Sequence, residues 1–132
     1  MEIKSTNILH IDIVQKTLTF LKKYNLVENV IISSFNPFVL LEINRQSKDV
    51  KIGLLWSKDI LEKWYVTRYT NKILHPYSLH ADINYINKDI SMWANQNRMK
   101  LFLYTVNTEK HLQLAKKVKA DGIFSDYPNI LE

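Results

Sequence analysis

The stretch Lys100–Pro128, KLFLYTVNTEKHLQLAKKVKADGIFSDYP, reads as strand, helix and strand. Leu101-Phe102-Leu103-Tyr104-Thr105-Val106 is a short apolar run of aromatic and β-branched residues, the pattern of a strand buried on both faces of a parallel sheet. Asn107 and Thr108 are good helix N-caps, Glu109 suits the positive end of a helix dipole, and Leu112, Ala115 and Val118 recur on one face. Gly122 is expected to close that helix in a left-handed conformation, φ positive, before a second short strand at Ile123-Phe124-Ser125 that ends at Asp126 and Pro128.

The rest of the chain repeats the alternation. Ile11, Val14, Leu18 and Leu21 share one face of a helix running to Tyr24, and Val30–Phe35 is a strand. Asn36-Pro37 starts the next helix, to about Gln46, with a cap and a first-turn proline. Lys51–Trp56 is a buried strand. Ser57 is expected to cap a helix to about Asn71 in which Leu61, Trp64, Tyr65 and Arg68 fall on neighbouring turns, the aromatic pair as core packing. Tyr77–His80 is a short strand, and Asn87 caps a helix with Ile90, Trp93, Ala94 and Asn97 on one face. With a strand at Met1–Lys4, this gives strands at about 1–4, 30–35, 51–56, 77–80, 100–106 and 123–125 in a single domain over 1–132. Strands alternating with helices mean a parallel sheet covered by helices. Periodicity alone fits a flavodoxin-like open sheet as well as a (β/α) barrel.

Motifs separate the two. Tyr104-Thr105-Val106-Asn107, followed one helix later by Asp121-Gly122-Ile123-Phe124-Ser125-Asp126-Tyr127-Pro128, resembles the end of a glycerophosphodiester phosphodiesterase domain. Met1-Glu2-Ile3-Lys4-Ser5 resembles that family's apolar-Glu-apolar-Lys strand, Ser33-Ser34-Phe35 a strand end, and Leu79-His80-Ala81-Asp82 its Leu-His-Pro-Asp turn with alanine in place of proline. The likeness covers essentially the whole chain. It implies a TIM-barrel type α/β fold, and at 132 residues only about the C-terminal half of a barrel that takes about 250, with five or six parallel strands.

The resemblance also implies roles. Glu2 would be a ligand to a divalent metal, calcium or magnesium, and Lys4 would meet substrate phosphate. On pattern alone the same two residues read as an exposed edge strand. Ser34, Trp56, Tyr104, Asn107 and Asp126 are candidate site-lining positions, with a structural turn equally open for the serine and the tryptophan placed to face substrate from the C-terminal end of its strand. Of the four histidines, His80 is the one placed near a site; His10, His75 and His111 are expected at the surface. The family's His-Arg-Gly, Glu-x-Asp and His-Asp strands do not occur in this sequence. They would carry both catalytic histidines and the other metal carboxylates, so hydrolysis by this chain alone is not expected, and metal binding by it is doubtful. The alternative is a non-catalytic half-barrel that binds a phosphorylated ligand or a partner chain.

Composition sets the remaining bounds. With 46% hydrophobic and 23% charged residues the chain is ordinary for a globular domain. No run of about 18 apolar residues suggests a transmembrane segment, and no signal peptide or cysteine appears, which makes a cytoplasmic location the expectation. The net charge of +5 is spread over several helices rather than gathered in an aromatic-bearing stripe, so nucleic acid is not an expected partner. Half a barrel leaves its outer strands and inward side chains uncovered. Self-association, or pairing with a missing N-terminal half, is therefore expected.

Overall fold

The computed structural model describes residues 1–4, 11–59 and 64–131, with the side chains of 64–68 and 131 left aside. Ser5, His10 and Leu61, and the side chains of Trp64, Tyr65 and Arg68, lie outside the described residues.

Local chemistry sets the helix ends. Asn36 accepts from Phe38 N–H with Pro37 in the first turn of α2 (Pro37–Gln46), and Asn87 accepts from Ile90 N–H at α4 (Lys88–Gln96). At α5 (Glu109–Lys117) the cap is Thr108, whose Oγ1 accepts from His111 N–H at 3.1 Å. α1 (Ile11–Lys23) buries Val14, Leu18 and Leu21, three of the four positions of its predicted stripe. α3 is Trp64–Leu74, three residues past the expected end. Ser57 is followed by a turn, and its hydroxyl donates to Asp82 rather than capping a helix.

Five strands, β1 (Ile31–Ser34), β2 (Lys51–Trp56), β3 (Ser78–Asp82), β4 (Lys100–Tyr104) and β5 (Gly122–Ile123), form one parallel sheet in the order β1-β2-β3-β4-β5. A doubly wound sheet reverses its strand order at a switch point. None occurs here, so the sheet is barrel-type, and among the described residues β5 does not pair with β1 to close it. Met1–Lys4 extends the edge beside β1: Ser33 N–H donates to Met1 O and Ile3 N–H to Ser33 O, both at 2.8 Å, and Glu2 forms a parallel bridge with Ser33.

Register sorts side chains onto two faces. Leu54, Leu79 and Leu101 align across the sheet, as do Trp56, Ala81, Leu103 and Ile123. These rows meet the helices, with α2 on β1 and β2 and α4 on β4. Leu79 and Leu103 are fully buried there, each contributing about 2 kcal/mol. The intervening row, Leu55, His80, Phe102 and Gly122, faces the concave side. The expectation that β4 is buried on both faces is thus corrected. Leu101 and Leu103 are buried, while Phe102 and Tyr104 are only half-buried because no opposite wall of a closed barrel stands over them.

Gly122 also corrects its prediction. Neither glycine has positive φ; the left-handed residue after α5 is Lys119, φ 56, and Ala120 N–H returns to Ala115 O. What Gly122 provides is room, since a Cβ there would lie 2.6 Å from Cδ1 and Cε1 of Phe102. No helix among the described residues is long and apolar enough to cross a membrane.

Candidate functional site

The concave face opens into a cavity of ≈ 670 Å³ whose walls include Glu2, Ser33, Phe35, Leu55, His80, Phe102, Tyr104 and Phe124. Strand alternation explains the set, because inward positions are two apart on each strand and neighbouring strands are in register.

His80 is deepest, only 3% exposed. Its Nε2 shares a hydrogen bond with Ser78 Oγ at 2.9 Å, and its ring lies between Phe102 and Phe124, with centroids 5.3 and 5.1 Å away. Burial, with a smaller contribution from the positive N-terminus, pushes its pKa down to about 4. At neutral pH the ring is an uncharged imidazole and offers no ready proton to a leaving group. It sits directly over Gly53, where a Cβ would be 2.7 Å from Nε2.

Tyr104 stands at the C-terminal end of β4, its hydroxyl donating to Trp56 O at 2.9 Å and its ring edge-on to Phe35. Burial first, then the negative charges of Asp82 and Glu2, raise the phenol's pKa, so it remains a neutral donor. Asp82, in register with Tyr104, accepts from Ser57 Oγ at 3.1 Å and from Asn84 N–H and Nδ2 at 2.9 and 3.0 Å. Four hydrogen bonds, three accepted by Asp82 and one donated by Tyr104, therefore fix two polar groups at the mouth. Asn107 and Asp126 tie the loop after β4 to the end of the β5 segment. Asn107 Nδ2 donates to Asp126 Oδ2 at 2.6 Å, and Asn107 Oδ1 accepts from Ser125 Oγ and Asp126 N–H.

Glu2 lines the cavity and Lys4, two residues on, is exposed at the same edge. Two predicted lining residues face away. Ser34 is 1% exposed on the helix-covered side, where its hydroxyl donates to Ile3 O at 2.8 Å and accepts from Asn36 N–H. Trp56, 4% exposed, belongs to the core on the same side. Phe102, Phe124 and Asp82 were not singled out from sequence, although counting in twos from His80 and Tyr104 reaches Asp82 and Phe102. Of the other histidines, exposed His75 follows α3, and His111 in α5 is half-buried with an Nδ1 that has no hydrogen-bond partner among the described residues.

A hard divalent cation takes about six or more oxygen ligands. Among the described residues no group of three or more His, Cys, Asp or Glu side chains could hold a metal ion, so this chain's own residues do not fit the metal that the resemblance implies.

The sequence profile of the Glycerophosphoryl diester phosphodiesterase family matches residues 2–130. The chain belongs to this family. It is 34% identical over 131 residues to a glycerophosphodiester phosphodiesterase of Caldanaerobacter subterraneus subsp. tengcongensis, covering 99% of this chain and 52% of that protein. It is 28% identical to the uncharacterized protein YqiK of Bacillus subtilis, again covering 52% of it. The chain thus spans about half the length of the curated relatives it matches. Among solved structures, an Oleispira antarctica phosphodiesterase in complex with the product sn-glycerol-3-phosphate superposes with a TM-score of 0.79 at 22% identity, over 96% of this chain and 50% of that one. A glycerophosphodiester phosphodiesterase from Thermotoga maritima does so at 0.73 and 20%, over 95% and 53%. These likenesses show the fold: part of a glycerophosphodiester phosphodiesterase barrel.

Proposed function

We propose that this chain forms the phosphate-binding side of a glycerophosphodiester phosphodiesterase site, the reaction being hydrolysis of a glycerophosphodiester to glycerol 3-phosphate and an alcohol. The observation that carries the reading is the Met1–Lys4 edge: Glu2 opens into the concave cavity with Tyr104, and Lys4 follows on the same edge, inside the family match. In this reading the Lys4 ammonium compensates charge that builds on the phosphoryl oxygens, a role worth about 3 kcal/mol of transition-state stabilisation for one preorganised donor. The neutral Tyr104 phenol bounds the pocket on the substrate side. Glu2 would supply one carboxylate to a metal only if the remaining ligands came from outside this chain.

Proton transfer requires an acid for the departing alkoxide and a base for the nucleophile. Neutral, buried His80 does not fill both roles, and the family's paired-histidine motifs do not occur in the sequence. The chain is therefore inactive by itself, and it becomes active when a polypeptide bearing the His-Arg-Gly, Glu-x-Asp and His-Asp strands covers the concave face. The test is hydrolysis of glycerophosphocholine with calcium or magnesium, by the chain alone and mixed with the front half of the Caldanaerobacter relative. The expected result is no turnover alone and turnover in the mixture that falls about a hundredfold with Lys4→Ala. Steady turnover by the chain alone, lost in Glu2→Gln, overturns the reading. Saturable phosphate-ester binding with no turnover in the mixture supports instead a non-catalytic half-barrel, the reading favoured by the incomplete ligand set.

A further inference from the structure

At the opposite end of the sheet from Asp82 and Tyr104, a second pocket of ≈ 490 Å³ lies between the C-terminal ends of α3 and α4, where the chain enters β3 and β4. Asn71, Lys72, His75, Tyr77, Asn97 and Arg98 line it, and among the described residues no carboxylate does. Asn71, only 7% exposed, donates from Nδ2 to Asn97 Oδ1 at 2.9 Å, and Asn97 Nδ2 donates to Trp93 O, so the pocket floor is an ordered pair of amides. We infer that this pocket is a binding site for a small phosphate-bearing anion, separate from the concave face.

Two observations support the assignment. The first is the excess of positive charge. A helix C-terminus carries roughly half a negative charge, which one cation answers. Two such ends meet here, faced by two permanent cations and an imidazole, and among the described residues none of Lys72, His75 and Arg98 takes part in an ion pair. Lys72 lies 5.9 Å from the ring centroid of Tyr69, a contact that leaves its ammonium hydrogens available. The second is backbone conformation. His75 and Arg98 both have positive φ, 45 and 57, the conformation that closes a helix, with Met99 N–H returning to Ala94 O after α4. It brings both donors to the wall of the pocket. Arg98 presents a planar fork suited to phosphate oxygens and Lys72 a point charge. The volume suits a phosphomonoester as well as free phosphate.

The test is calorimetric titration of the purified chain with inorganic phosphate and, separately, with glycerol 3-phosphate. Saturable binding of either is expected, and which binds tighter tells free phosphate from a phosphomonoester as the ligand. Arg98→Asn removes the charge while keeping a residue at ease in the left-handed conformation, and Lys72→Gln keeps a good helix former; each is expected to weaken binding by about tenfold or more. Lys4→Gln removes only phosphate held at the concave face, so the component of binding that persists in this variant and is weakened by Arg98→Asn and Lys72→Gln belongs to this pocket. Absence of saturable binding, binding indifferent to both substitutions, or binding lost only in Lys4→Gln overturns the inference.

Discussion

Protonating His80 is expected to destabilise this protein from within its concave wall. In the unfolded chain the imidazole titrates near 6.5, and in the folded chain at about 4. Between those values the unfolded state holds a proton that the folded state refuses, so acidification favours unfolding. The contribution is whole above pH 6.5, declines as pH falls and is gone below about 4. A gap of about 2.5 units at 1.36 kcal/mol each amounts to about 3 kcal/mol. With the ring 3% exposed between two aromatic side chains, solvent screening takes little from that figure. Urea unfolding at pH 7.5 and pH 4, for the wild type and for His80→Gln, reads it directly. Glutamine retains a hydrogen-bonding partner for Ser78 and does not titrate, while every other group cancels in the comparison. The wild type should lose about 3 kcal/mol more than the variant across that range. Equal losses, or an imidazole that titrates near 6.5 by NMR in the folded protein, would refute the burial reading.

The two glycines offer a contrast: Gly53→Ala meets the Ser78–His80 pair and should cost about 2 kcal/mol, whereas Gly122→Ala meets a Phe102 ring that can swing into the open cavity and should cost less. Phe102→Leu should restore most of the Gly122→Ala loss, and a thermal melt of the double variant no better than the single would refute the contact. The chain should also self-associate through its open face and edges, where Phe124 is 46% and Met1 53% exposed. Light scattering over a concentration series checks it, with a monomer at high micromolar concentration as the contrary result.

The order of elements was readable because apolar runs and caps are local signals. Asn36, Asn87 and Thr108 each sit where their side chains satisfy a helix's first N–H groups. The face on which a residue falls was harder to read. Ser34 and Trp56 resembled site positions by their place at strand ends, yet parity turns both toward the helices, and adjacent Ser33 and Leu55 turn inward. The end of α5 was misread for a related reason. A glycine nearby drew the left-handed conformation on paper, while the helix's own 6→1 bond from Ala120 to Ala115 needed it three residues earlier, at Lys119. Asp82 escaped because its restraints come from Ser57 and Asn84, and the first of these is remote in sequence.

The consecutive strand order has a consequence for how the chain acquires its shape. The strands begin at residues 31, 51, 78, 100 and 122, and each pairs with the one just made. No hydrogen bond of the sheet waits for distant ends to meet, so loop-closure entropy is met in short instalments of similar size. That order permits directional growth, each βα unit docking on the edge of the one before, as suits a chain emerging from a ribosome. Closing a full barrel would add one pairing between the most separated strands, with the slowest search of all. Because the five strands here do not depend on that step, their register can be set before any opposite wall arrives.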